Sequence, residues 1–213
     1  MGRRQKYLKY VIKSNFGKVY DNYLPRVSYE DILKSKYCDE VTKVYYKLGG
    51  KLYKFPSRIG KWDIETEKFV LELDEELHFN RYRKITLNSR IYDELNDFPV
   101  RKYKKYCDEY EINCLKAGSY GKKWTNLSCE KQFGVSAKNK DLTGNGSARW
   151  RQRAFYDYLK DLTPLILQFP LIRVSIWDKV KICDKEINIA YLLDKEKGKE
   201  LKQYLEEKIV KYG

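Results

Sequence analysis

Apolar residues recur at helical spacing through "YEDILKSKYCDEVTKVYYKLGG". Ile32, Leu33, Tyr37, Val41, Val44, Tyr45 and Leu48 would share one face, and Gly49-Gly50 supplies a stop, so the spacing predicts a helix from Tyr29 to Leu48. "KLYKF" then reads as a strand, and "KWDIE" and "KFVLELD" read as the arms of a hairpin turning at Thr66-Glu67. Beyond His78 the text is helical to Leu95, where "NDFP" ends it because proline disfavours helix at the preceding residue. From Asp97 to Ser147 periodicity fades into the turn formers of "KAGSYGKKWTN" and "AKNKDLTGNGS", and the stretch reads as an insertion. A second helix, "ARWRQRAFYDYLKDL", carries Phe155, Tyr158, Leu159 and Leu162 as its apolar stripe. "TPLILQFP" leads on to a strand, "LIRVSIWD", in which Ile172, Val174 and Ile176 alternate with Arg173, Ser175 and Trp177. A charged helix spans Lys195 to Lys211, and no internal repeat is visible.

This order predicts an α/β fold, a small mixed sheet flanked by helices. The length suits a single domain, residues 1–213, with core segments 29–95 and 148–180, an insertion at 97–147 and a C-terminal helix at 195–211. A two-residue turn at Thr66-Glu67 would pair Glu65 with Lys68, Ile64 with Phe69, Asp63 with Val70 and Trp62 with Leu71. One face then carries Trp62, Ile64, Phe69, Leu71 and Leu73. The other carries Lys61, Asp63, Glu65, Lys68, Val70, Glu72 and Asp74. In this register Lys61 lies opposite Glu72, and Asp63 sits diagonally from Glu72 at about 7–8 Å. A one-residue slip would send every side chain to the other face.

Composition changes what that acidic face means. The formal net charge is +14 and aromatic residues make up 15% of the chain, including 20 tyrosines, a balance that favours a polyanionic partner such as DNA. The N-terminus, "MGRRQKYLKYVIKSNF", has no apolar signal-peptide core, and Lys6 stands where a myristoylation motif wants Ser or Thr. Nowhere do about 18 apolar residues run together. A cytoplasmic protein without a membrane span is expected. Five cysteines, Cys38, Cys107, Cys114, Cys129 and Cys183, are odd in number, which argues against a disulfide framework. None of their gaps is the short CxxC of a zinc site, so buried thiols are expected over structural Zn²⁺.

Within this basic chain, "KWDIETEKFVLELDEELHFNRYR" gathers Asp63, Glu72 and Asp74 beside His78, the only histidine. Acids a few ångströms apart repel unless a cation or a proton relieves them, and oxygen-only ligands of this kind suit Mg²⁺ or Mn²⁺. Asp63, then Glu72 in "LELDEELHF", on adjacent strands after an N-terminal helix, resembles the PD-(D/E)XK nuclease superfamily near its very-short-patch-repair (Vsr-like) branch. There an acid-bearing strand is commonly followed by histidine and a helix. The resemblance covers residues 29 to 95. It implies a restriction-endonuclease-like core and a metal-dependent DNA endonuclease acting in restriction, repair or defence. Asp63, Glu72 and Asp74 would hold the metal, and Asp63, Glu72, Asp74 and His78 would form the catalytic set. Two positions depart from the pattern: Trp62 replaces a proline, and Asp74 stands where the superfamily's lysine usually does.

His78 can take the water-activating role because its ordinary pKa allows proton transfer near neutrality, with Lys61 in reserve. Arg81 and Arg83 would contact phosphate or pair with Glu75 or Glu76. Arg149, Arg151 and Arg153, beside Trp150, suggest a basic edge that grips backbone phosphates or stacks on a base. The alternative reading is a catalytically inactive nucleic-acid-binding module on a nuclease scaffold. A third is an interaction protein whose acidic hairpin binds a basic partner. A monomer would suit nicking and a two-fold dimer would suit cutting both strands of a palindrome, and the sequence does not choose between them.

Overall fold

A computed structural model describes residues 2–182 and 184–209. The chain runs α1 (Arg3–Asn15), α2 (Tyr29–Lys34), α3 (Cys38–Lys47), β1 (Ile64–Glu65), β2 (Val70–Asp74), α4 (Arg81–Thr86), α5 (Val100–Glu109), α6 (Glu111–Gly118), α7 (Leu127–Phe133), α8 (Ala148–Asp161), α9 (Thr163–Ile166), β3 (Leu171–Ser175), β4 (Lys179–Ile182), β5 (Lys185–Asn188), α10 (Ile189–Asp194) and α11 (Gly198–Ile209). The architecture is mixed α/β. Two compact units are built from interleaved segments: Met1–Pro25, Lys61–Glu75 and Phe169–Gly213 form the first, and Arg26–Gly60 and Glu76–Gln168 the second.

In the first unit a three-stranded sheet has the order β1-β2-β3, with β1 antiparallel and β3 parallel to β2. Ile64 pairs with Leu71, Leu71 with Ile172 and Leu73 with Val174, which puts one apolar side chain after another on the same face. That face is covered by Leu8, Val11 and Ile12 of α1, Ile189, Leu192 and Leu193 of α10, and Leu201, Tyr204 and Leu205 of α11. A second hairpin, β4–β5, pairs Val180 with Ile187.

The hairpin register differs from the expected one. Thr66 N–H donates to the Phe69 carbonyl at 3.0 Å, and the Thr66 hydroxyl accepts from Phe69 N–H at 3.0 Å while donating to the same carbonyl at 2.8 Å. These bonds close a four-residue loop, Thr66 to Phe69, instead of a two-residue turn. Glu65 therefore meets Val70 rather than Lys68. A slip of two keeps parity, so the polar and apolar faces are those the alternation predicts.

The second unit is helical around α8, whose Ala154, Phe155, Tyr158 and Leu159 are buried against an aromatic cluster that includes Tyr45 and Phe133. Ser147 caps α8, accepting from Trp150 N–H at 3.1 Å and donating to the Trp124 carbonyl at 2.6 Å. Gly146, at φ +55°, enters that cap so close to Tyr82 that an added Cβ would lie 2.0 Å from the phenol oxygen.

Several expected elements are corrected. The helix predicted from Tyr29 to Leu48 is two helices, because the Ser35 hydroxyl donates to the Ile32 carbonyl and accepts from Tyr37 N–H, competing with the helical ladder. "KLYKF" is not a strand: Lys51 N–H donates to the Gln132 carbonyl and Leu52 N–H to the Tyr45 hydroxyl. The helix expected after His78 is α4 followed by a 3₁₀ turn at Arg90–Asp93. Residues 97–147 contain α5, α6 and α7, and α1, α10 and the β4–β5 hairpin were not expected. The C-terminal helix starts at Gly198, and its expected end at Lys211, like Cys183, lies outside the described residues. Among the described residues no helix is long and apolar enough to cross a membrane.

Leu71 is fully buried on the apolar face, whereas Leu127 is 88% exposed. Denaturant unfolding should find Leu71→Ala about 2–5 kcal/mol less stable than wild type and Leu127→Ala within about 0.5 kcal/mol of it. Equal small effects would contradict the assigned core.

Candidate functional site

The polar face of the first unit's sheet carries Glu65, Glu72 and Asp74 with Arg173 and Ser175, since Glu72 pairs with Arg173 and Asp74 with Ser175. Continuing the observed register one step past Ile64 sets Asp63 directly across from Glu72, closer than the expected diagonal. Asp63 N–H donates to Glu72 Oε1 at 3.2 Å, and Leu73 N–H donates back to Asp63 Oδ2 at 2.8 Å. Gln5, on α1, donates to Asp63 Oδ1 at 2.6 Å. By the same slip Lys61 no longer faces Glu72; it is exposed at the strand's edge.

This face is buried. Glu65, Glu72 and Asp74 are at most 3% exposed, and Asp63 is half-buried. Glu65 is held by three backbone N–H groups, those of Asn22, Tyr23 and Leu24, at 2.8–3.2 Å. Asp74 Oδ1 accepts from Arg173 Nη1 at 2.6 Å, an ion pair almost wholly out of water. Arg173 is thus a cation already placed among the acids, and buried charges persist only when paired in this way.

In the second unit His78 ends a 3₁₀ turn, Glu76–His78, just before Asn80 caps α4. Its Nδ1 lies 2.8 Å from Asp157 Oδ2 and its Nε2 3.3 Å from Arg153 Nη1. A guanidinium has donors only, so Nε2 must accept, and the ring proton sits on Nδ1 and is donated to Asp157. His78 is therefore oriented by a buried carboxylate. Cys114, which accepts from Asn80 Nδ2, is pushed up to about 12 by burial, so it is a neutral thiol at physiological pH.

The predicted basic residues separate into distinct roles. Arg83 is 1% exposed and bonded to Asp161 at 2.6 Å, to Thr86 and to Tyr92, so it is a structural ion pair and not a phosphate contact. Trp150 is fully buried against Trp124 and is closed to any base. Arg151 donates to the carbonyls of Asn145 and Leu48 and stacks on Tyr82, tying loops together. Arg81 is exposed but engaged by Glu111, not by Glu75 or Glu76. Burial pushes the Glu111 carboxyl up, yet the Arg81 hydrogen bonds outweigh it and hold the group below its usual range. Arg149 and Arg153 are half-buried on α8.

Three further side chains of these clusters were not expected from the sequence. Arg173 alternates with Ile172 and Val174, which puts it on the acidic face; Asp157 is an acid four residues beyond Arg153; Gln5 had no signal. Carboxylate or imidazole atoms able to hold a cation are offered by Asp74 in the first unit and by His78 and Asp157 in the second. The oxygen donors of Asp63, Glu72 and Asp74 are of the type a hard divalent cation takes. The residues fit such an ion.

The chain belongs to the family of unknown function DUF7255, whose model matches residues 43–195. No curated protein and no solved structure matches it.

Arg173→Met would leave the Asp74 carboxylate buried without its guanidinium, and equilibrium unfolding should show a loss of about 3–5 kcal/mol. Adding Asp74→Leu should recover most of that loss. A double variant no more stable than the single one would mean that the two charges are not coupled.

Proposed function

We propose that the protein is a metal-dependent endonuclease that hydrolyses phosphodiester bonds in DNA, with a core of the PD-(D/E)XK type in the β1–β2–β3 sheet. The observation that carries this reading is the cross-strand placement of Asp63 against Glu72, with Asp74 on the same buried face. A bound Mg²⁺ or Mn²⁺ would supply Lewis acidity toward phosphate and lower the pKa of a bound water.

The protein's own groups have the remaining roles. Asp63 and Glu72 would hold the cation, with Gln5 and the Leu73 amide fixing the Asp63 carboxylate. Asp74 shares that duty or, through Arg173, balances the charge of the face. His78, in its Nδ1–H tautomer, has Nε2 as the nitrogen able to take a proton, and Asp157 keeps it so. The net positive charge of the chain draws in the polyanion. The binding-module reading draws on one observation, the Asp74–Arg173 pair at the position where a catalytic lysine is expected.

Purified protein should nick or linearise supercoiled plasmid in Mg²⁺ or Mn²⁺. Asp63→Asn and Glu72→Gln should abolish cleavage, and His78→Ala should slow it about 10²–10⁴-fold. A wild-type protein that binds DNA in a salt-sensitive way but never cuts it would favour the binding module; one that does neither would end the DNA reading.

A further inference from the structure

Arg149 and Arg153 lie one turn apart on the same face of α8. Three other arginines withdrawn from water meet acids, Arg4 with Asp194, Arg83 with Asp161 and Arg173 with Asp74, whereas half-buried Arg151 donates to carbonyls. Among the described residues, no carboxylate lies within ion-pair distance of Arg149 or Arg153. Their N–H groups go to neutral acceptors instead. Arg149 Nη1 donates to the Gln152 amide oxygen, and Arg153 Nη1 donates to His78 Nε2. Burial holds the Arg149 guanidinium below its usual range, and the charge of Arg153 adds to that effect. Arg58, exposed, adds a further positive charge beside Tyr156. The acid on this face of the helix, Asp157, is engaged by His78 Nδ1. Two adjacent half-buried forks share one nearby carboxylate, that of Asp157, which His78 already engages, so the positive charge of this face favours a further anion.

We propose that Arg149 and Arg153 form a phosphate site, and that a phosphodiester bound there draws Arg153 off His78 Nε2 and exposes that nitrogen's lone pair. A guanidinium bonds a phosphate oxygen through charge-assisted, bidentate contacts that are stronger than a bond to neutral imidazole, so the exchange runs toward the anion. Asp157 remains on Nδ1–H throughout and preserves the tautomer. The ligand class rests on the nuclease reading, but the exchange requires no cleavage.

Because the chain has a single histidine, ¹⁵N-histidine labelling of the full protein gives one imidazole to follow by NMR. The probe is dimethyl phosphate, added without metal at fixed pH. The free protein should show Nδ1 protonated and Nε2 bare, and the probe should move the Nε2 resonance saturably while Nδ1 keeps its proton. Arg149→Lys and Arg153→Lys, which retain charge but lose the fork, should raise the half-saturation concentration about tenfold. Lys84→Ala, a surface residue paired with Asp108, should titrate like wild type. An Nε2 signal that does not respond, or Lys variants that match wild type, would overturn the site. A saturable shift without plasmid cleavage would keep the site and reject the nuclease; cleavage with an unmoved Nε2 would do the reverse.

Discussion

Strand alternation is the constraint on which the first unit depends. Because successive side chains point to opposite faces, the same two strands that bury Ile64, Leu71 and Leu73 must gather Glu65, Glu72 and Asp74 on the reverse side, with Asp63 beyond them. The parallel strand β3 obeys the same rule, giving Ile172 and Val174 to the core and Arg173 and Ser175 to the acids. Packing the apolar face thus fixes the electrostatics of the polar one. The acids cannot disperse without unmaking the core.

Burial turns that geometry into a demand for positive charge. Glu65 meets it with three amides, and Asp74 meets it with Arg173. Asp63 accepts from Gln5 and from the Leu73 amide, and Glu72 accepts from the Asp63 amide. In the second unit the balance is reversed: Arg149 and Arg153 are cations whose side-chain bonds go to the Gln152 amide oxygen and the His78 ring. One unit carries acids suited to a cation, and the other carries arginines suited to an anion.

The faces of the hairpin were legible in the sequence because parity survives a slip of two, and α8 and β3 were legible because their periodicities, 3.6 and 2, are unbroken. The register was not, since it is set by the Thr66 hydroxyl closing a four-residue loop that looks on paper like a two-residue turn. The break at Ser35 and the helices within 97–147 escaped for a similar reason: side-chain bonds to backbone and tertiary burial override local composition. Among site residues, Asp63, Glu72, Asp74 and His78 stood out by charge and rarity. Arg83 misled because a lone arginine after a histidine gives no hint of the distant Asp161 that buries it. Asp157 was hidden inside an apolar stripe, where an acid makes sense only once its partner is seen.

The central claim is that the facing acids bind a divalent cation, and electron paramagnetic resonance of Mn²⁺ titrated into the protein tests it most directly. Wild type should remove Mn²⁺ from the free signal, and Asp63→Asn and Glu72→Gln, each folded by thermal melt, should leave it free. An undiminished free signal with wild type, or equal uptake by all three proteins, would contradict the account.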